Sequence, residues 1–207
     1  RLENLYAQIQ EKVNNTDFEK AYTNFTIRYP KVEITRDMNI IYNNKKYSIE
    51  YLNNVDEEKA KIAALIHDVA KCMPKDKQFE ILKNNGVKMD KYLLNSPQIL
   101  HGAVGAILAK EIMGIEDIDI LNAVKYHTTG KENMTTLEKI IYIADYVEPN
   151  RKYEGVDKIR EVVFKDLDNG VFMGIENTML HLLKERQLIH IDTINARNYL
   201  LLEIKNK

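Results

Sequence analysis

At 207 residues, with 44% hydrophobic and 29% charged side chains, the chain has the composition of one ordinary folded domain with at most a small appendage. Its 30 basic and 31 acidic residues nearly cancel, and no aromatic-basic ladder of the kind single-strand binders use is present, so no nucleic-acid partner is expected. No apolar stretch approaches the length of a membrane span, Arg1 to Tyr6 lack a signal-peptide core, and the single Cys72 can form no internal disulfide; the expected setting is a reducing cytoplasm, away from membranes.

Up to Asn54 the residues are rich in Tyr, Thr, Ile and Asn in short alternations. Residues 25–29, 31–35, 38–42 and 45–51 read as strands, the last two around a hairpin turn at Asn43-Asn44. A change of pattern near Asn53-Asn54 divides an N-terminal segment, 1–54, from a helical part, 55–207.

Helix signals then follow in order. Asp56-Glu57-Glu58 open a helix with acids in its first turn, and Pro74 marks its end. Asp76 to Asn85 forms another, with Gly86 as its cap. A long helix from about Pro97 closes at Gly114, Gly130 follows the helix bearing His127, and Thr135 or Thr136 begins the one bearing Asp145. Apolar spacing through Val162, Leu167, Val171, Ile175, Met179 and Leu183, then Ile194, Tyr199 and Leu202, adds two or three more, which predicts an all-α bundle with a small β-like N-terminal segment.

Polar residues interrupt these apolar helices at recurring places. His67-Asp68 lies within Ile62 to Ala70, His101 follows Leu100, His127 follows Tyr126, and Asp145 follows Ile143-Ala144. Burying imidazole and carboxylate costs several kcal/mol unless they are coordinated or hydrogen-bonded. A divalent metal answers that need, and imidazole with carboxylate suits iron, manganese, zinc or magnesium; the lack of a cysteine cluster argues against a thiolate zinc site. Gly102, Gly105, Ala106 and Ala109 give the His101 helix small side chains that permit close approach. Tyr126, Tyr142, Tyr146 and Tyr153 read as core residues with a wet hydroxyl before adenine platforms, while His181 and His190 read as structural or surface residues.

In this order, His67-Asp68, His101, His127 and Asp145 resemble the metal-dependent HD-domain phosphohydrolases. Ala64 to Lys71, Leu100-His101-Gly102, Tyr126 to Gly130, Ile140 to Arg151 and Thr193 to Leu200 narrow the resemblance to the bacterial YqeK subfamily, over roughly Val55 to Leu201. The resemblance implies an HD-domain helical bundle, symmetrical hydrolysis of diadenosine tetraphosphate to two ADP, and a two-metal centre of iron type. It implies His67, Asp68 and Asp145 on one metal, and Asp68, His101 and His127 on the second, with Asp68 between them and a bridging hydroxide as nucleophile. The catalytic set it implies is Asp68, Lys71 and Arg151; Lys71, Thr128, Thr129, Arg151 and Arg197 would meet the nucleotide phosphates. Thr128 and Thr129 equally suit a cap on the turn ending at Gly130.

One family feature is missing. The family carries a further metal-binding histidine about 30 residues before the His-Asp pair, and this chain has no histidine before His67. The corresponding position falls near Met38, whose thioether is a poor ligand for hard or borderline metals, so that place would be open, filled by water or supplied by another group such as Asp37. Two rival expectations follow: a hydrolase of another nucleotide, and a nucleotide-binding HD module without turnover. A homodimer is compatible with either.

Overall fold

The computed structural model describes residues 55–148 and 151–207, preceded by the backbone of three short strands. The strands β1 (Glu33–Ile34), β2 (Asn39–Tyr42) and β3 (Lys45–Ser48) form an antiparallel sheet in that order. Tyr42 pairs with Lys45, so β2 and β3 make the hairpin expected around positions 43 and 44. The strand expected at 25–29 lies outside the described residues, as do Asp37 and Met38.

Helix α1 (Glu57–Ile66) starts where the Asp56 carboxylate accepts the N–H groups of Glu58 and Lys59, at 2.9 and 3.3 Å. It stops sooner than the sequence predicts. Instead of continuing to Pro74, the chain leaves the helix at His67 and descends through i→i+3 turns, with Val69, Lys71 and Met73 donating to Ile66, Asp68 and Ala70. Side chains supply the partners that make this stable: the His67 ring bonds the Ala64 carbonyl, and the buried Gln78 amide donates to the carbonyls of Ala70 and Met73, at 3.1 and 2.8 Å.

Gln78 belongs to α2 (Lys75–Asn84), which ends at Gly86 in the left-handed conformation. After the short α3 (Lys91–Leu94), a 3₁₀ turn over Pro97–Ile99 leads into α4 (Leu100–Glu111), so the helix predicted from Pro97 begins with a tighter turn. Helix α5 (Ile118–Tyr126) follows, and α6 (Thr136–Tyr146) opens with a capping box in which Thr135 and Glu138 satisfy each other's backbone N–H groups. The remaining helices are α7 (Val156–Val163), α8 (Leu167–Lys184) and α9 (Ile191–Lys205).

Helix α6 sits between two cores. Its Leu137 and Ile141 pack with Ala63, Ile66, Ala109, Ile120 and Val124 of α1, α4 and α5. Its Tyr142 and Ile143 pack with Ile159, Val171, Ile175 and Leu200 of α7 to α9. A third group, Ala70, Leu82, Leu100 and Val104, fixes α2 and the 67–73 turns against α4. The two faces of α6 thus hold its last turn, with Asp145, in a fixed place relative to α1, α4 and α5.

Candidate metal centre

The three histidines share one local device. His67 and His127 are the residues that end α1 and α5, and His101 stands in the first turn of α4. Each ring Nδ1 bonds the backbone carbonyl three residues before it: His67 to Ala64 at 2.7 Å, His101 to Gln98 at 2.9 Å and His127 to Val124 at 2.7 Å. A carbonyl only accepts, so each Nδ1 carries the proton and each neutral ring turns an Nε2 lone pair inward. This is the second-sphere arrangement that orients imidazole ligands toward metals.

The lone pairs meet at one carboxylate. Asp68 Oδ1 lies 3.2 Å from His101 Nε2 and 3.4 Å from His127 Nε2, while Oδ2 lies 3.7 Å from His67 Nε2 and 2.7 Å from Lys71 Nζ. His101 Nε2 and His127 Nε2 stand only 3.0 Å apart. All three rings are buried, and His67 Nε2 has no hydrogen-bond partner among the described residues. Converging lone pairs and a carboxylate repel one another unless a cation or proton lies between them, and the set His67, Asp68 and His127 is compact enough to hold an ion. Imidazole and carboxylate donors fit a divalent metal.

The electrostatics agree with a site kept ready for a cation. Burial works against ionisation of Asp68, but His101, His127 and His67, whenever a second proton sits on their Nε2 atoms, together with the Lys71 ammonium outweigh it and hold the carboxyl well below the usual carboxylate range. For His67, burial comes first and repulsion by His127 second; together they keep the ring neutral more readily than a free histidine, against the pull of Asp68, the Ala64 carbonyl and Asp145.

The remaining sequence-predicted residues occupy different surroundings. Asp145 acts on His67 through its charge but stands outside the compact group, its Oδ2 3.0 Å from Arg151 Nη2. Thr128 Oγ1 is buried with no hydrogen-bond partner among the described residues, whereas Thr129 Oγ1 donates to the Gly130 carbonyl at 2.9 Å. Arg197 is engaged by Glu176, with Nη2 to Oε1 at 2.7 Å, and its guanidinium lies 5.2 Å from the Phe172 ring centre. His181 is exposed on α8, and His190 caps α9 by accepting the Asp192 N–H. Gln78, absent from the sequence reading, shapes the turns that carry Asp68 and Lys71; nothing in its sequence surroundings distinguishes it from any helical glutamine.

Close approach of α4 and α5 makes the cluster geometrically accessible. A Cβ built on Gly102 would stand 2.6 Å from the Lys125 carbonyl oxygen and 3.3 Å from that of Val124. Only a residue without a side chain lets His101 and His127 face each other at this separation.

A helical bundle that gathers three oriented imidazoles on one half-buried carboxylate has the donor set of a divalent-metal site of the His-Asp type. The chain belongs to the HD-domain family, whose model matches residues 32–150. It is similar to a symmetrical bis(5'-nucleosyl)-tetraphosphatase of Bacillus subtilis (strain 168), 44% identical over 147 residues that cover 70% of this chain and 78% of that protein. A protein of the same description from Halalkalibacterium halodurans is 42% identical over 154 residues, covering 74% of this chain and 82% of its own. The crystal structure of a predicted HD superfamily hydrolase involved in NAD metabolism from Clostridium acetobutylicum matches 100% of this chain and 98% of that one, with a TM-score of 0.75 and 34% identity.

Proposed function

We propose that the protein is a metal-dependent phosphohydrolase that cleaves diadenosine tetraphosphate symmetrically into two ADP. The observation that carries this reading is the convergence of His67, His101 and His127 Nε2 atoms on the Asp68 carboxylate. Its substrate is drawn from the similarity to symmetrical tetraphosphatases.

In this reading His67, Asp68, His101 and His127, with Asp145 nearby, hold a two-metal centre, iron being the first choice. Bound there, divalent cations supply Lewis acidity to a phosphoryl oxygen and lower the pKa of the attacking water. The chain's own groups do the rest. Carbonyls of Ala64, Gln98 and Val124 keep the rings in one tautomer, and the apolar walls of α1, α4 and α5 keep bulk water from the donors. Lys71 presents a point charge beside Asp68, and Arg151 a planar fork suited to a phosphate. The Thr128 hydroxyl offers a further donor. Loss of an ADP-sized leaving group demands charge neutralisation more than covalent chemistry, which these cations provide. The reading places the activity in the cytoplasm on a free nucleotide. Among the described residues no helix is long and apolar enough to cross a membrane.

A second reading, a nucleotide-binding module without turnover, draws on the lack of any histidine before His67. One experiment separates the two: elemental analysis, with ADP release from diadenosine tetraphosphate, on protein reconstituted anaerobically with iron or manganese. About two ions per chain and ADP as sole nucleotide product support the hydrolase. Binding without release supports the module, and ATP with AMP as products overturns symmetrical cleavage.

A further inference from the structure

Beyond the cluster, a largely covered arginine takes no part in the proposed reaction. Arg160 projects from α7 with its side chain only 12% exposed. Its Nε donates to the Val147 carbonyl at 3.0 Å, and its Nη2 donates to the carbonyls of Glu148 at 2.6 Å and Arg151 at 3.0 Å. Its Nη1 pairs with Asp157 at 2.8 Å, which fixes the guanidinium plane from its own helix.

These three carbonyls belong to the stretch that leaves α6. Val147 is the residue after the last helical turn, and Arg151 N–H closes a turn on the Glu148 carbonyl at 2.9 Å. A helix C-terminus leaves carbonyls without helical partners and carries partial negative charge, so a guanidinium there satisfies both. The consequence reaches the site. The backbone that Arg160 grips ends at Arg151, whose own side chain meets Asp145, with Nη2 to Oδ2 at 3.0 Å and Nε to the Asp145 carbonyl at 3.3 Å. Tyr153 adds a hold on the same helix end by donating to the Tyr146 carbonyl at 2.9 Å.

We propose that Arg160 is a positioning residue: by holding the carbonyls of Val147, Glu148 and Arg151 with one rigid guanidinium, it sets Arg151 beside Asp145 at the edge of the metal centre. For its effect on turnover the proposal rests on the hydrolase reading, in which Arg151 meets phosphate. Lysine cannot replace it, because an ammonium keeps the charge at the α6 terminus but lacks the planar fork that spans these carbonyls.

The test is a double-mutant cycle with a structural readout. Arg160→Lys, Arg160→Met, Arg151→Ala and the two double variants are compared by kcat/KM, by thermal unfolding and by the NMR signal of the Arg151 Nε–H, assigned by its loss in Arg151→Ala. Arg160→Lys and Arg160→Met are expected to lower kcat/KM about tenfold or more in the native background and less than about twofold beside Arg151→Ala, since residues acting through one another are not additive. The Arg151 Nε–H signal should shift in both Arg160 variants. Equal losses in the two backgrounds, or an Arg151 signal unmoved by either substitution, would overturn the proposal. If the unmodified protein releases no ADP, the hydrolase reading fails, while the NMR signal still decides whether Arg160 places Arg151.

Discussion

Replacing Gly102 by alanine should damage the metal centre more than the fold. The added methyl would sit 2.6 Å from the Lys125 carbonyl oxygen, whereas carbon and carbonyl oxygen settle at about 3.3–3.6 Å. Helices α4 and α5 must therefore part locally by about 0.7–1.0 Å. The methyl also presses on the Val124 carbonyl at 3.3 Å, the group that orients the His127 ring. Metal–ligand distances tolerate only about 0.2 Å, and a misplacement near 1 Å costs about 100-fold in rate. Overpacking costs about 1–3 kcal/mol, but a glycine-to-alanine change inside a helix contributes roughly 0.5–1 kcal/mol, so the net loss of stability is modest. Elemental analysis, ADP release and urea unfolding on Gly102→Ala should show reduced metal and a rate down by one to two orders of magnitude, in a protein that still folds cooperatively. Gly105→Ala is the control: its Cβ would meet a movable Val124 methyl at 3.2 Å and no backbone closer than the His67 carbonyl at 3.7 Å. Full metal content and native rate in Gly102→Ala would refute the claim that this close approach builds the site.

Other expectations follow from the same geometry. His67→Ala and Asp68→Ala should each abolish ADP release, and native rates in both would remove these residues from the centre. Met38→His, which restores the donor type that the family resemblance calls for, should raise metal content or rate in elemental analysis and steady-state assays; no gain in either would mean that the site is complete without it. Asp168 accepts from Lys139 and Lys207, each at 2.7 Å. Burial raises its pKa, but the two lysines outweigh that and hold it below the usual value. A depressed folded pKa contributes stability above the unfolded value, and that stability is lost as pH falls through the folded one. Asp168→Asn should thus be less stable at pH 7 by roughly 1.5–3 kcal/mol, with the gap closing below about pH 4; a gap that persists undiminished in acid, measured by chemical unfolding, would exclude this ion pair as its source.

What could be read in the sequence depended on whether a residue violated its local pattern. His67, His101 and His127 stood out because each breaks an apolar helical run, and the structure brings them together on Asp68. The caps were legible for a similar reason: Asp56 and the Thr135-Thr136 pair are helix-starting residues followed by acids, and Asp56 caps α1 while Thr135, of the two threonines, caps α6. The end of α1 was not legible, because nothing between Ile66 and Met73 breaks a helix. What ends it is remote or indirect: a histidine ring that takes the Ala64 carbonyl, and a glutamine from the next helix that takes those of Ala70 and Met73. Gln78 and Arg160 are unmarked for the same reason: the groups they hold across the fold are backbone carbonyls, which every residue has and no sequence marks.

The placement of the histidines explains why helix ends matter here. In the middle of an α-helix the carbonyl three residues back is surrounded by a continuing ladder and serves the N–H one residue further on. At the ends of α1 and α5, and in the 3₁₀ entry to α4, that carbonyl becomes available to the ring, so a single residue both satisfies the helix terminus and aims its Nε2 inward. Three separate helices can then deliver imidazoles that are already oriented, each ring held by a backbone carbonyl. The arrangement predicts that the fold tolerates change in the side chains of Ala64, Gln98 and Val124 as long as size is kept, whereas proline at Thr128, which would alter the backbone of the preceding His127, should lower metal content in elemental analysis.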